Sequence, residues 1–241
     1  MPRAALSVYY GVPCPDTLSV LARHATVVVQ RGLYTPEQLT GLRQTSRVLG
    51  YLSVGEDHPL GTRPCIPGSA PYHVSINGAW GSVRVDAAHP VWRTTLLARA
   101  RDALADTDGL LLDTLDSADP AATVALVREV RAAWPRVALY ANRGFGLLRE
   151  LSGVLDGVLI EAFSTGHSPT PALHHPDGLA YTAHWLRAVR AAGLDALALD
   201  YADTPALAAV ARARAEREGV PTFVSNRSLS LPGGLLCPLP A

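Results

Sequence analysis

Gly109-Leu-Leu-Leu-Asp-Thr-Leu-Asp116 is the stretch from which the fold can be read. Leu110, Leu111 and Leu112 make an apolar run too short for a buried helix, and Asp108 and Gly109 punctuate its start. Asp113 ends the run and Asp116 follows three residues later. The pattern predicts a buried parallel strand with a carboxylate at its C-terminal tip, the end of the strand where sheet enzymes place their chemistry.

Outward from this stretch the same pattern recurs. Strands are predicted at 5–10, 25–30, 48–56, 109–116, 137–142, 157–161, 195–200 and 221–226, with helical segments in most intervals. Helix starts are explicit: Thr35-Pro36-Glu37, Asp119-Pro120 and Thr204-Pro205 each place a capping residue before a proline at the first helical position. Residues 57–88 form a long connection with little periodicity, and long ordered loops are usually functional. The stretch after Asn226 is rich in Pro and Gly, so the eighth helix is expected to be absent or irregular. Strands alternating with helices imply parallel βαβ units, and eight of them imply a single α/β domain, a (β/α)8 TIM-like barrel spanning 1–241. A doubly wound open sheet would carry a glycine-rich turn after strand one; Tyr10-Gly11-Val12-Pro13 contains no such fingerprint.

Bulk properties narrow the function. The 241 residues carry a formal net charge of zero, which gives no general electrostatic support for nucleic-acid or anionic-membrane partners. No lysine occurs anywhere, so Schiff-base chemistry and the P-loop lysine are excluded. Cys14, Cys65 and Cys237 share no Cys-x-x-Cys spacing, and neither a zinc site nor a disulfide framework is expected. No segment is apolar and long enough to span a bilayer, and the first residues lack the apolar core of a signal peptide. A cytoplasmic protein is expected if Met1 is the native start; a trimmed chain leaves export open. A monomer is the expected state.

A barrel gathers all eight strand C-termini on one face. That face would display Tyr9, Tyr10, Gln30, Glu56, Asp113, Asn142, Glu161, Asp200, Tyr201, Ser225 and Asn226, with Arg31, Arg143 and Arg227 as the main cations and Asp57, Asp116, Asp119 and Asp203 just beyond. Asp119 reads as a helix cap, and Asp203 or Thr204 as another. Asp113, Glu161 and Asp200 follow strongly apolar runs, where a carboxylate is costly unless paired or used. Glu56 and Asp116 divide evenly between site and loop roles. Trp80 and Tyr72 in the long connection are candidates for stacking on a sugar, against ordinary packing; Trp92 and Trp134 read as core. His58, His73, His167, His174 and His175 show no metal-binding spacing, so no metal ligands are assigned. An acidic face on a neutral protein suits a cationic substrate, a metal ion, or acid–base chemistry by two carboxyl groups. With no Ser/His/Asp elbow or Cys/His pair in view, two facing carboxyls point to glycoside hydrolysis, in which one protonates the leaving oxygen and the other attacks or activates water. A Mg²⁺-assisted barrel using Asp113, Glu161 and Asp200, and a non-catalytic sugar-binding barrel, remain as alternatives.

Tyr51-Leu-Ser-Val-Gly-Glu56, Asp86 with Trp92, Gly109–Asp116, Asn142-Arg-Gly-Phe145, Gly157-Val-Leu-Ile-Glu161 and Leu199-Asp-Tyr-Ala202 occur in that order. Together they resemble glycoside hydrolase family 114, the endo-α-1,4-polygalactosaminidases, over about Tyr51 to Asn226. The resemblance implies a (β/α)8 hydrolase that needs no cofactor and cleaves galactosamine-type polysaccharide. It implies Asp113 as nucleophile, Glu161 as acid/base, and Asp200-Tyr201 lining the sugar subsite. Tyr9, Glu56, Asp116, Asn142, Arg143 and Asn226 complete the expected substrate contacts. Gln30 stands where members often have an acid, and Ala162 with a histidine-containing loop replaces an aromatic segment.

Overall fold

The computed structural model describes residues 4–58 and 65–235. Eight strands form one parallel sheet in sequential order: β1 (Ala4–Tyr9), β2 (His24–Val29), β3 (Arg47–Ser53), β4 (Gly109–Asp113), β5 (Ala138–Asn142), β6 (Gly157–Glu161), β7 (Asp195–Tyr201) and β8 (Thr222–Ser225). Seven helices lie in the intervals: α1 (Pro15–Leu21), α2 (Pro36–Arg43), α3 (Pro90–Leu104), α4 (Pro120–Ala133), α5 (Leu148–Leu151), α6 (Pro176–Ala191) and α7 (Pro205–Arg217). This is the expected (β/α)8 barrel. All but α5 begin on proline, whose fixed φ and missing N–H suit the first turn. Thr35 and Gln38 close a reciprocal capping box on α2, while Asp119 and Thr204 cap α4 and α7.

The barrel interior is packed by Leu6, Val8, Val28, Leu49, Leu111, Tyr140, Leu159, Leu199 and Phe223. A larger apolar layer, including Leu52, Leu110, Leu112, Val127, Val158 and Ile160, joins the outside of the sheet to the helices. Strands buried on both faces explain the continuous apolar runs. Gly109 permits close approach: a Cβ there would lie 2.1 Å from the Ala138 carbonyl oxygen.

Four features differ from the sequence reading. First, β3 stops at Ser53, and Glu56–Asp57 starts a separate three-stranded antiparallel sheet with Ser82–Val85 and His73–Asn77. The long connection is therefore largely ordered, with Trp80 in its hairpin turn; its residues 59–64 lie outside the described residues. Second, the 164–177 loop holds a small antiparallel pair, Thr165–Gly166 with Ala172–Leu173. Third, α6 starts at Pro176, three residues ahead of the predicted Leu179. Fourth, β1 and β8 share no ladder among the described residues. The segment after β8 bridges them instead: Tyr10 N–H donates to Leu229 O (2.9 Å), Ser7 Oγ to Pro232 O (2.8 Å) and Leu235 N–H to Val224 O (2.8 Å). No helix follows β8 among the described residues, as expected; Cys237 and the end of the tail lie outside them. No helix of the described residues is long and apolar enough to cross a membrane.

Candidate active site

Strand parity builds the site. Interior side chains recur every second residue, so two positions beyond the packed layer the same faces present a polar rung. Val8 is followed by Tyr10, Val28 by Gln30, Leu49 by Tyr51 and Leu111 by Asp113. Tyr140 leads likewise to Asn142, Leu159 to Glu161 and Leu199 to Tyr201. All seven polar-rung residues line one pocket of about 480 Å³ at the C-terminal mouth of the barrel.

Asn142 joins the two central acids. Its Nδ2 donates to Asp113 Oδ1 (2.9 Å) and to Glu161 Oε2 (2.7 Å). An amide's two N–H bonds diverge by about 120°, so the two bonded oxygens lie about 5 Å apart. Only the NH₂ end can face two carboxylates, which leaves Asn142 Oδ1 buried without a partner in the described structure. Each acid also receives one phenol: Tyr51 Oη donates to Asp113 Oδ2 (2.7 Å), and Tyr201 Oη to Glu161 Oε1 (2.5 Å). Burial, reinforced by these carboxylates, holds the Tyr10, Tyr51 and Tyr201 phenols well above their ordinary value, so they stay donors. Burial first, and Glu161 second, push the Asp113 carboxyl up against the opposing hydrogen bonds of Tyr51 and Asn142.

The backbone turns sharply after each of these residues. Thr114 (φ 61°), Arg143 (φ 55°) and Ala162 (φ 54°) directly follow Asp113, Asn142 and Glu161, and all three are left-handed. Non-glycine residues there cost about 1–2 kcal/mol each, so the surroundings must hold them. Around Thr114 they do: its hydroxyl bonds Ser53 Oγ (2.8 Å), Gly55 N–H (2.9 Å) and Asp113 O (2.6 Å). A Cβ on Gly55 would sit 2.3 Å from Thr114 O, so only glycine permits this approach.

The pocket walls come from the three-stranded sheet and from loops. Glu56 is 2% exposed and lines the pocket; Asn77 Nδ2 donates to both of its oxygens (3.1 and 3.3 Å) and Ser82 Oγ to one (2.5 Å). Across the mouth, Trp80, His167 and Tyr201 pack edge-on in series with ring centroids 5.1 Å apart, and Arg227 lies over Trp80 at 5.0 Å. Burial lowers the His167 imidazole, favouring its neutral form. Arg143 also lines the pocket.

Of the expected site residues, Asp113, Glu161, Glu56, Asn142, Arg143 and Tyr201 converge here. Four do not. Tyr9 has the opposite parity from Tyr10; it packs outside the sheet with Leu21 and Val27, and its hydroxyl donates to Val12 O (3.0 Å). Asp200 is likewise out of phase. It is fully buried behind the sheet and accepts from Ser164 N–H (2.5 Å), Thr165 N–H and Thr165 Oγ1, bracing the loop after β6. Asp116 is exposed and its neighbours Thr114 and Ser117 line the pocket instead. Asn226 ties the turn after β8 through Ser230 and leaves the lining to Arg227, Ser228 and Leu229. Tyr51, Asn77 and His167 were not selected from sequence. Tyr51 was legible as the inward neighbour of Leu49; Asn77 ends a strand of the three-stranded sheet and His167 lies on a loop, and the sequence reveals the path of neither.

No family model matches the chain, and no curated protein matches it. Solved structures do. The glycoside hydrolase domain of PelA from Pseudomonas aeruginosa aligns with a TM-score of 0.83 at 29% identity, over 94% of this chain and 96% of that one. Aspergillus fumigatus Ega3, solved in complex with galactosamine, aligns at 0.72 with 12% identity, over 95% of this chain and 92% of that one. The maltogenic α-amylase AmyB from Thermotoga neapolitana shares the fold at 0.60 and 11% identity, over 99% of this chain and 72% of that one. Barrel, carboxylate pair and neighbours together make the chain a glycoside hydrolase, with a polysaccharide or oligosaccharide as substrate. The same neighbours bear out the resemblance to glycoside hydrolase family 114 carried by the sequence motifs.

Proposed function

We propose that the chain cleaves α-1,4-linked galactosamine-type polysaccharide by a two-step, retaining displacement. The observation that carries the reading is the Asn142 bridge. An amide that gives one N–H to each acid spaces their oxygens by about 5 Å, which matches retaining glycosidases, where no water must fit between the second carboxylate and the anomeric carbon. Asp113, as nucleophile, attacks the anomeric carbon while Glu161 protonates the leaving oxygen. Glu161 then takes a proton from water as it hydrolyses the glycosyl–Asp113 ester. Each acid receives one phenol and one amide N–H, and Asp113 also a bond from the Thr114 backbone, which favours Asp113 as the ionised partner. The assignment of roles otherwise rests on the family motifs.

Glu56 supports a cationic sugar. It is a nearly fully buried carboxylate whose partners among the described residues, Asn77 and Ser82, are neutral. A buried charge without a counter-ion is costly, and a substrate ammonium would supply one. A Mg²⁺ site built from Asp113, Glu161 and Asp200 has the wrong geometry, because Asp200 faces out of the barrel.

The test is digestion of de-N-acetylated α-1,4-galactosamine oligomers, with products followed by mass spectrometry and the first-formed anomer by NMR. Cleavage with retention is expected, and Asp113→Asn and Glu161→Gln should each lose at least about 10³-fold in kcat. With an activated substrate, azide should rescue the nucleophile variant to a glycosyl azide of inverted configuration and the acid/base variant to one of retained configuration. Binding without cleavage overturns the proposal. An inverted first product overturns its retaining step, and the opposite azide outcomes exchange the two roles.

A further inference from the structure

Outside the sugar pocket, at the root of the three-stranded sheet, three donors of different type converge. Asp57 lies on the first short strand, His73 opens the hairpin, and Cys65 lies between them in sequence, eight residues from each. One donor atom from each residue lies within 4.8 Å of the other two. The Asp57 and His73 side chains are 9% and 3% exposed. His73 Nε2 lies 3.0 Å from Asp57 Oδ2, and His73 Nδ1 is buried without a partner in the described structure. Arg99 Nη2 holds the other Asp57 oxygen at 2.8 Å, and Tyr72 Oη reaches Oδ2 at 3.1 Å.

We propose that Asp57, Cys65 and His73 form a binding site for a divalent metal ion, zinc by preference, that clamps the wall carrying Glu56 and Trp80. The mixed O, N and S set is the chemistry of zinc, whose tetrahedral ligand atoms stand about 3.3–3.7 Å apart. The Asp57–His73 pair already approaches that spacing, and Cys65 closes it by a local shift. Zinc enters with release of the Cys65 thiol proton to solvent, and no redox change occurs. Arg99 and Tyr72 take the outer role, orienting the Asp57 carboxylate. This proposal departs from the sequence expectation of no zinc site, which rested on the absence of Cys-x-x-Cys and His-x-His spacings. Neither spacing applies to ligands brought together from separate strands.

The test uses full-length protein stripped with a chelator and titrated with Zn²⁺ and, separately, Co²⁺. One equivalent should bind, with a thiolate-to-cobalt charge-transfer band and a rise in Tm on adding Zn²⁺. Cys65→Ser should abolish the band and weaken binding by at least about 100-fold. His73→Gln should also weaken it, while Cys14→Ser should leave both unchanged. Circular dichroism checks that the variants fold. Absence of the band in the wild type overturns the proposal, which makes that result independent of any variant. Binding that survives Cys65→Ser equally overturns it and places the ion elsewhere.

Discussion

Replacing Asn142 by alanine tests the reasoning about the site most directly. The substitution removes two N–H donors at once, one from each carboxylate. Hydrogen bonds to charged groups contribute about 1.5–3 kcal/mol each. It also removes the amide that holds the ionised nucleophile and the protonated acid in register. The ionised nucleophile bears most of this loss, because Asp113 is already pushed up by burial and by Glu161. A loss of about 3–4 kcal/mol from the transition state lowers kcat by about 10²–10³. The acid limb of the pH–rate profile should move to higher pH, because a proton leaves the unbridged pair less readily. KM should stay within about threefold, since the sugar-facing walls are untouched. The assay is steady-state hydrolysis across pH, with circular dichroism to confirm folding. A kcat within about threefold of wild type, with an unmoved acid limb, would refute the assignment of Asn142 as the group that spaces and ionises the pair.

Other outcomes follow from the same geometry. Tyr201→Phe deletes the 2.5 Å bond to Glu161 and should lower kcat about 10- to 100-fold with little change in Tm, read by kinetics and a thermal melt. Trp80→Ala should raise KM about tenfold while kcat changes little, which competition with oligosaccharide would show; an unchanged KM would remove Trp80 from the binding surface. Asp200→Ala should destabilise the fold by about 2–4 kcal/mol in denaturant melts, because it strips three donors of their buried acceptor. The raised Asp113 carboxyl contributes stability that is fully present below the unfolded aspartate pKa and is lost as pH rises through the folded value. Asp113→Asn should therefore have a higher Tm than wild type at pH 7, with the gap closing toward pH 3. A constant gap across pH would contradict the shift.

The barrel was legible because eight apolar runs end in polar residues and three helices announce themselves with a capping residue before proline. Asp113, Asn142, Glu161 and Tyr201 were legible because strand tips concentrate function. Parity was not. Strands buried on both faces carry apolar residues at odd and even positions alike, so hydrophobicity does not say whether Tyr9 or Tyr10, Asp200 or Tyr201, faces the axis. Counting in twos from the packed layer settles it once the register is known. The connection after β3 stayed opaque for a different reason. Its strands span two to five residues, and Val74 and Ile76 point outward, so no buried period marks them. Glu56 was placed one strand too early as a result, although its presence at the site was read correctly.

The segment bridging β1 to β8 gives the barrel the mechanics of a split ring. Seven of its joints are welded by parallel ladders, while the eighth is a clip made from Leu229, Pro232 and Leu235. Tyr10 and Leu229 sit both at the clip and on the pocket lining, and Ser228, next to Leu229, lines it too. Part of the bore of the active site is thus set where single hydrogen bonds, not a ladder, close the ring. A shim inserted there, such as a bulkier side chain at Ser228, would change the fit of the sugar without touching either acid, which makes the clip the place to retune this enzyme for longer or thicker chains.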